Sequence, residues 1–286
     1  HTYGGSDEDV IWDIKETPDQ GFIVVGYSKS NDGDLSQNNG GRDYWIFKID
    51  SQGTLQWTKT YGGTNDDKAL SVFVTEDGGI IVAGDSRSND GDVSGHNGEF
   101  NYDCWVIRLK ANGSLIWEKN YGGSSNEYTA SIIQLADEGY LLVSGTESED
   151  FDVSNNYSGD DGEDIWVVRI DDEGVIIWEK NFGGSGEDSP ENVLKIDEEN
   201  ILICGRTTSS NYDFLNQEMG GNDGFIMQIN SDGDLIWTNL LGGSGAERIK
   251  AITHAADGVG YIFSGFSEPS NGDVGENHGE WDAWLG

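Results

Sequence analysis

Amphipathic helices are what this sequence most plainly lacks. No segment sustains an apolar period near 3.6 residues, so a helical bundle is excluded at the outset. Long hydrophobic runs are missing too: none approaches the ~20 residues that a membrane-spanning helix requires, and no charged-then-apolar leader is present. The chain opens instead in mid-motif at His1-Thr2-Tyr3-Gly4-Gly5, as a mature form or a fragment would. Proline is scarce, at 3 residues in 286, and cysteine is limited to Cys104 and Cys204. Cys204 falls in a slot filled elsewhere by Val25, Ala83, Ser144 and Ser264, which suits a small side chain. A buried free thiol is the reading there, and the two cysteines say little about redox compartment. Positive charge is the last deficit: 16 Lys and Arg stand against 53 Asp and Glu, for a net charge of −37. Such a surface repels phosphate backbones and anionic lipid heads, which argues against nucleic acid and direct membrane insertion. The excess carboxylates read either as a solubilising coat or, in particular loops, as ligands for divalent cations.

Glycine, by contrast, is abundant at 42 residues, alongside 10 Trp, 11 Tyr and 10 Phe. That mixture suits many short strands joined by tight turns rather than a disordered acidic chain. An aromatic or Leu followed by Gly-Gly recurs at Tyr3, Tyr61, Tyr121, Phe182 and Leu241, at spacings of 58, 60, 61 and 59 residues. A fixed period of this size marks a repeat architecture. The repeats are 3–60, 61–120, 121–181, 182–240 and 241–286, the last unfinished.

Each repeat reads as four strands. The first opens on a carboxylate four residues past the second Gly: Asp9, Asp67, Glu127, Asp188 and Glu247. The second is a dense apolar run such as GFIVVG or GIIVAG, and the third opens with Asp, as in DYWIFKID and DCWVIRLK. The fourth carries Trp57, Trp117, Trp178 or Trp237 just before the next Gly-Gly. Between third and fourth lie SQGT, ANGS, DEGV and SDGD, whose Gly can take the positive φ of a tight hairpin. Four antiparallel strands per unit, with Trp on the outer strands, describe a propeller blade whose faces must stack on neighbouring blades. The fold class is therefore all-β, a single β-propeller domain over 1–286 with five blades present. First strands should line a channel, with Asp13, Ser71, Ser131, Asn192 or Ala251 on the wet face. Ile14, Val72, Ile132, Val193 and Ile252 would sit beneath them in the core.

The combined run, GG-S-x-x-D, then DGG-FIVVGYS, then D-x-W-x-x-K-I-D-x-x-G-x-L-x-W before YGG, resembles the SBBP (seven-bladed β-propeller) repeats of secreted and surface bacterial proteins. It is most similar to the acidic, Bacteroidetes-like versions, and the resemblance covers essentially the whole chain. It implies an extracellular or cell-surface location and an architecture more than a chemistry. Five repeats rather than seven stand here, so either a five-bladed ring or part of a longer one is implied.

The loop between second and third strands is the strongest candidate for chemistry. In repeat 1, Asp32, Asp34, Ser36, Asn38 and Asp43 fall at loop positions 1, 3, 5, 7 and 12, the alternation by which calcium loops turn oxygens toward one hard cation. Repeat 2 offers Asp90, Asp92, Ser94 and His96, with Asp103 displaced; repeat 3 offers Asp150, Asp152 and Ser154, with Asp160, Asp161 and Asp164 beyond. No Glu stands at position 12 and no Gly at position 6, and Asx-turns in an exposed loop explain the same residues. Calcium is the one cofactor expected.

The first-strand openers read either as an acidic ring holding a cation or as acceptors for the N–H groups of the Gly-Gly turn. The third-strand openers Asp43, Asp103, Asp164, Asp223 and Asp282 admit the same two readings. Catalysis finds little support: no Ser/His/Asp grouping emerges, Gly-x-Ser-x-Gly is absent, and glycoside cleavage would need paired carboxylates where only Asp13 stands. The expected function is a non-enzymatic, secreted or cell-surface scaffold that binds a protein or glycan, with self-association allowed. The alternatives are a structural spacer of a larger adhesin and a carbohydrate-active enzyme. Partner contacts are expected at the loop aromatics Phe100, Tyr102, Tyr157, Tyr212 and Trp281.

Overall fold

A computed structural model describes residues 1–98, 101–135, 139–159, 162–215, 220–256, 258–268, 272–274 and 279–286. Nineteen strands occur among them, with a single turn of 3-10 helix at Tyr212–Phe214. The first sheet is β1 (Asp9–Glu16), β2 (Phe22–Ser28), β3 (Asp43–Ile49) and β4 (Leu55–Tyr61). The second is β5 (Asp67–Val74), β6 (Ile80–Ser86), β7 (Asp103–Leu109) and β8 (Leu115–Tyr121). The third holds β9 (Glu127–Gln134), β10 (Tyr140–Thr146), β11 (Asp164–Ile170) and β12 (Ile176–Phe182). A fourth follows with β13 (Asp188–Lys195), β14 (Asn200–Thr207), β15 (Asp223–Asn230) and β16 (Leu235–Leu241). The fifth has three strands, β17 (Glu247–His254), β18 (Tyr261–Ser267) and β19 (Asp282–Leu285). Each sheet follows chain order, and the paired strands run antiparallel, so every sheet is a meander. The all-β propeller class expected from the repeats is the observed one.

The chain forms two compact units. One comprises His1–Leu142, Asp150–Asp152 and Arg169–Ile177; the other comprises Val143–Glu149, Val153–Val168 and Trp178–Gly286. In the first, Ile23, Val25, Tyr44 and Ile46 meet Ala69, Val72, Ile80, Val82, Trp105 and Ile107, so one blade's face closes on the next. The Tyr44 ring lies 4.5 Å from that of Trp105, and its hydroxyl donates to the Trp105 carbonyl at 2.8 Å. In the second, Leu202 and Cys204 meet Ile249, Ile252, Val274 and Trp284. Burying each such side chain contributes about 1.5–3 kcal/mol. Both cysteines are buried and neither forms a disulfide, and burial pushes the Cys204 thiol up to about 12.

The hairpin glycines hold the blades together. Gly53, Gly113, Gly174 and Gly233 take φ of 80°, 79°, 77° and 77°. A Cβ on Gly113 or Gly233 would lie 3.0 or 2.8 Å from the Trp57 or Trp178 ring of the preceding repeat, so these turns require Gly twice over. Tyr61 donates its hydroxyl to the Gly113 carbonyl at 2.5 Å, and Tyr121 does the same to Gly174 at 2.7 Å.

First strands carry a bulge at one repeated place, between Ile11 and Asp13, Ala69 and Ser71, Pro190 and Asn192, and Ile249 and Ala251. A bulge re-aims the side chain beside it, and here it corrects the expected channel lining. Asp13 accepts the Val72 N–H at 3.0 Å, Ser71 the Ile132 N–H at 3.2 Å, and Asn192 the Ile252 N–H at 3.4 Å. These polar side chains bridge neighbouring first strands. The β-branched residue after them is buried in repeats with a preceding sheet in their own unit, such as Ile132 and Ile252. Ile14 is 49 % exposed, because no sheet of its unit precedes β1.

Candidate functional site

In repeats 1 to 4 the Gly-Gly turn is grasped by side-chain oxygens of its own repeat, all of them carboxylates except Asn211. In repeat 1 the N–H groups of Gly4, Gly5 and Ser6 donate to Asp34, Asp9 and Asp32 at 2.9, 2.7 and 2.7 Å. Repeat 2 reproduces this with Gly62 to Asp92 at 3.2 Å, Gly63 to Asp67 at 2.8 Å and Thr64 to Asp90 at 2.8 Å. Repeat 3 uses Asp152, Glu127 and Asp150, and repeat 4 uses Asp213, Asp188 and Asn211. Behind the turn, the opener is held by hydroxyls: Ser86 and Ser88 donate to Asp67 at 2.5 and 2.9 Å. Of the two readings of the openers, the turn-fixing acceptor is the one these contacts describe.

The third-strand openers act likewise, Asp43 and Asp164 through one oxygen and Asp103 through both. Asp43 accepts the Asn39 N–H at 2.6 Å, Asp103 the Asn97 N–H at 2.7 Å, and Asp164 the Tyr157 N–H. His96 Nδ1 also lies 3.1 Å from Asp103. The remaining oxygens, Oδ1 of Asp43, Asp164 and Asp223, are buried without a hydrogen-bond partner. A Cβ on Gly62 would lie 2.7 Å from both Asp43 and Asp67, and one on Gly183 would meet Asp164 and Asp188. The first Gly of the motif is thus a spacer between two carboxylates. Burial, reinforced by these acidic neighbours, pushes Asp43 and Asp164 up to about 7 and Asp223 to about 6.

These contacts bear on the calcium expectation. Asp32, Asp34, Asp90, Asp92, Asp150 and Asp152 each give one oxygen to a different backbone amide. Asn38 spends its amide on the Ser28 and Gly41 carbonyls, Ser94 donates to Glu118 at 2.6 Å, Ser154 accepts from Asn155, and Ser36 is exposed. Among the described residues no group of three or more His, Cys, Asp or Glu side chains is placed to hold a metal ion. The loop residues therefore fit a cation poorly. Spacing along the chain is shared by calcium loops and by this amide clasp, which is why sequence alone left both open.

The loop aromatics separate into distinct environments. Phe100 lies outside the described residues. Tyr102 is half-buried beneath the chain's own cations, with Arg87 4.0 Å and Lys68 4.7 Å from its ring. Trp281 packs edge-on against Phe266 at 4.9 Å. Tyr157 and Tyr212 are brought together, ring centroids 5.3 Å apart at 32°, and both are exposed. Burial, then the charges of Asp213 and Asp164, push the Tyr157 hydroxyl up.

One aromatic escaped the motif reading. Phe151 and Tyr212 stand at the loop place occupied by Gly33, Gly91 and Gly272 in the other repeats, and all five share a left-handed backbone, with φ of 55° and 51° for the aromatics. An L side chain there costs about 1–2 kcal/mol; Phe151 is 71 % exposed and recovers little of it, while Tyr212, 57 % exposed, has the Tyr157 ring as its aromatic neighbour. Aligning the repeats displays the anomaly as an aromatic in a glycine slot; the strain needs φ. Asp85 was missed as well: buried in β6, it accepts the Thr129 N–H at 2.8 Å and is pushed by burial up to about 7.

These features define a repeat protein of the β-propeller class, built from Gly-Gly-clasped blades. No protein-family model matches the chain. The regulatory protein FlaEY of Caulobacter vibrioides is 24 % identical over 186 residues, which is 60 % of this chain and 19 % of that protein. The chain thus spans about a fifth of that relative's length. Among solved structures, a Synechocystis apocarotenoid oxygenase mutant is 13 % identical, covering 86 % of this chain and 52 % of that one at a TM-score of 0.49. The Neurospora crassa Pan2 WD40 domain is 11 % identical over 90 % of this chain and 75 % of that one, at 0.48. A thermostable family-43 glycoside hydrolase is 12 % identical over 99 % and 92 %, at 0.41. Likeness at this level transfers neither ligand nor chemistry.

Proposed function

We propose that the chain is a non-enzymatic binding scaffold of the secreted or cell-surface kind, consistent with its resemblance to SBBP repeats. One observation carries this reading: Phe151 and Tyr212 hold exposed rings on strained backbone where three other repeats use glycine. Strain kept at an exposed aromatic points to a contact with something outside the chain. The repeated polar residues are already occupied by the fold, which leaves the loop tips for partners. The test is an array of immobilised glycans and peptides probed with wild type and with the Phe151→Gly/Tyr212→Gly pair. The expected result is partner retention lost on double substitution while the melting temperature holds or rises. Retention unaffected by removal of both rings, or turnover of chromogenic glycosides by the wild type, overturns it.

A second reading, a structural unit that contacts its own copies, draws support from one further observation. β1 presents Ile11, Trp12 and Ile14 to solvent, although the corresponding Ala69 and Val72 are buried against a neighbouring blade. A blade of the same repeat in a second copy fits that face. Sedimentation velocity over a hundredfold concentration range should then show association that Trp12→Lys abolishes; a monomer throughout rules it out.

A further inference from the structure

We infer that the Tyr157–Tyr212 pair receives a cationic side chain, guanidinium or ammonium, from a partner protein. The inference rests on the binding-scaffold reading above and names the chemistry of its partner. Three observations converge on it.

The first is the rings themselves. Two tyrosines with ring centroids 5.3 Å apart, inclined at 32°, form one aromatic patch that is 40 % exposed at Tyr157 and 57 % at Tyr212. Tyr212 itself sits on left-handed backbone, φ 51°, a conformation that glycine adopts freely. Its ring is therefore displayed at a cost to the fold.

The second is electrostatic. The described parts of the segments that carry the pair, 147–159, 162–163, 208–215 and 220–222, contain no Lys or Arg, whereas the first two hold Glu147, Glu149, Asp150, Asp152 and Glu163. Burial, and then the charges of Asp213 and Asp164, disfavour ionisation of Tyr157. An anionic ligand is repelled from such a patch. A cation is drawn both by the carboxylates and by the negative faces of the rings.

The third is a precedent inside the chain. Tyr27 lies under Arg42 at 5.1 Å, Tyr102 under Arg87 at 4.0 Å, and Tyr140 under Arg108 at 5.9 Å. With only 16 basic residues, the chain places several over tyrosine rings. Among the described residues none lies over Tyr157 or Tyr212. These two rings offer outward what the others use within the fold.

The test is fluorescence anisotropy on the full chain with three labelled probes: acetyl-(Gly-Arg)4-amide, its (Gly-Gln)4 counterpart, and the neutral sugar cellohexaose. Tyr212→Gly removes one ring and relieves the backbone, while Tyr157→Leu keeps apolar bulk and removes the aromatic face. Both variants are expected to weaken the arginine peptide roughly tenfold, the loss of one desolvated cation–π contact. Tyr212→Gly is expected to melt no lower than wild type. Wild-type affinity for the arginine peptide retained in both variants overturns the inference, because a diffuse acidic field alone then holds the peptide. So does a clear fall in the melting temperature of Tyr212→Gly, which makes the ring structural. Tyrosine-dependent binding of cellohexaose in place of the peptide also overturns it, yet leaves the scaffold reading standing. No binding of the arginine peptide by wild type overturns the cationic partner, and the array described above then decides the scaffold reading separately.

Discussion

A single carboxylate in the second sheet tests how much buried acid this protein tolerates. Asp85 is enclosed, and desolvation lifts its folded pKa to about 7, despite the Thr129 N–H it accepts and the charge of Lys68 nearby. An unfolded Asp titrates near 3.9, so between about pH 4 and 7 the folded state binds the extra proton. Stability from that proton is present below the unfolded pKa and lost as pH rises through about 7. Asp85→Asn keeps an oxygen for Thr129 and removes the ionisation. Urea unfolding should therefore show the variant more stable than wild type at pH 8, on the order of 1–3 kcal/mol, with the advantage shrinking by pH 5. Parallel curves for the two proteins would contradict this account. Residue-scale effects of this sort were the least legible in the sequence. Asp85 fills an apolar-run position taken by Tyr27, Gly145, Arg206 and Phe266 in the other repeats, so nothing in the pattern marked it as buried and unpaired by a cation.

Elements were far easier to read, because strand identity follows from patterns that repeat. The opening carboxylates Asp9, Asp67, Glu127, Asp188 and Glu247 each begin a strand, and the third-strand Asp begins β3, β7, β11, β15 and β19. The bulge was illegible: Asp13 and Ser71 look like channel-facing polar residues in a regular alternation, and only the register shift turns them toward the next strand's amide. Equivalent positions can still differ in consequence. Ile132→Ala should cost about 2–4 kcal/mol, as expected for a buried aliphatic, whereas Ile14→Ala should cost under about 1 kcal/mol because its face is open. Equal losses in denaturant midpoint would mean that β1 is covered in solution. At the loops, the carboxylates once expected to gather round calcium are spent on Gly-Gly amides. With the carboxylates engaged by those amides, excess EGTA is expected to leave the melting temperature within about 1 °C, because only a ligand of the native state stabilises it by mass action. A drop of several degrees would restore the calcium expectation for loops such as Asp32 to Asp43.

The molecule as a whole is shaped by its charge as much as by its repeats. With −37 on 286 residues, self-repulsion opposes compaction, and screening it should help the folded state. Raising NaCl from 0.01 to 0.5 M is predicted to raise the melting temperature, and a flat response would show the acids to be well compensated locally. Blade number along the sequence was legible from the Gly-Gly period. Which loop tips carry an exposed ring on left-handed backbone was not, since that depends on φ rather than on spacing.

The Trp wedged beneath the following hairpin has a consequence for how such chains grow. Trp57 beneath Gly113, Trp117 beneath Gly174 and Trp178 beneath Gly233 are the same joint made three times. The clasp on each Gly-Gly turn, meanwhile, is closed within a single repeat. A duplicated repeat therefore brings its own polar network and a standard coupling at each end. Duplication of a whole blade would reproduce that coupling at both of its ends, leaving the loop tips as the places where copies can diverge.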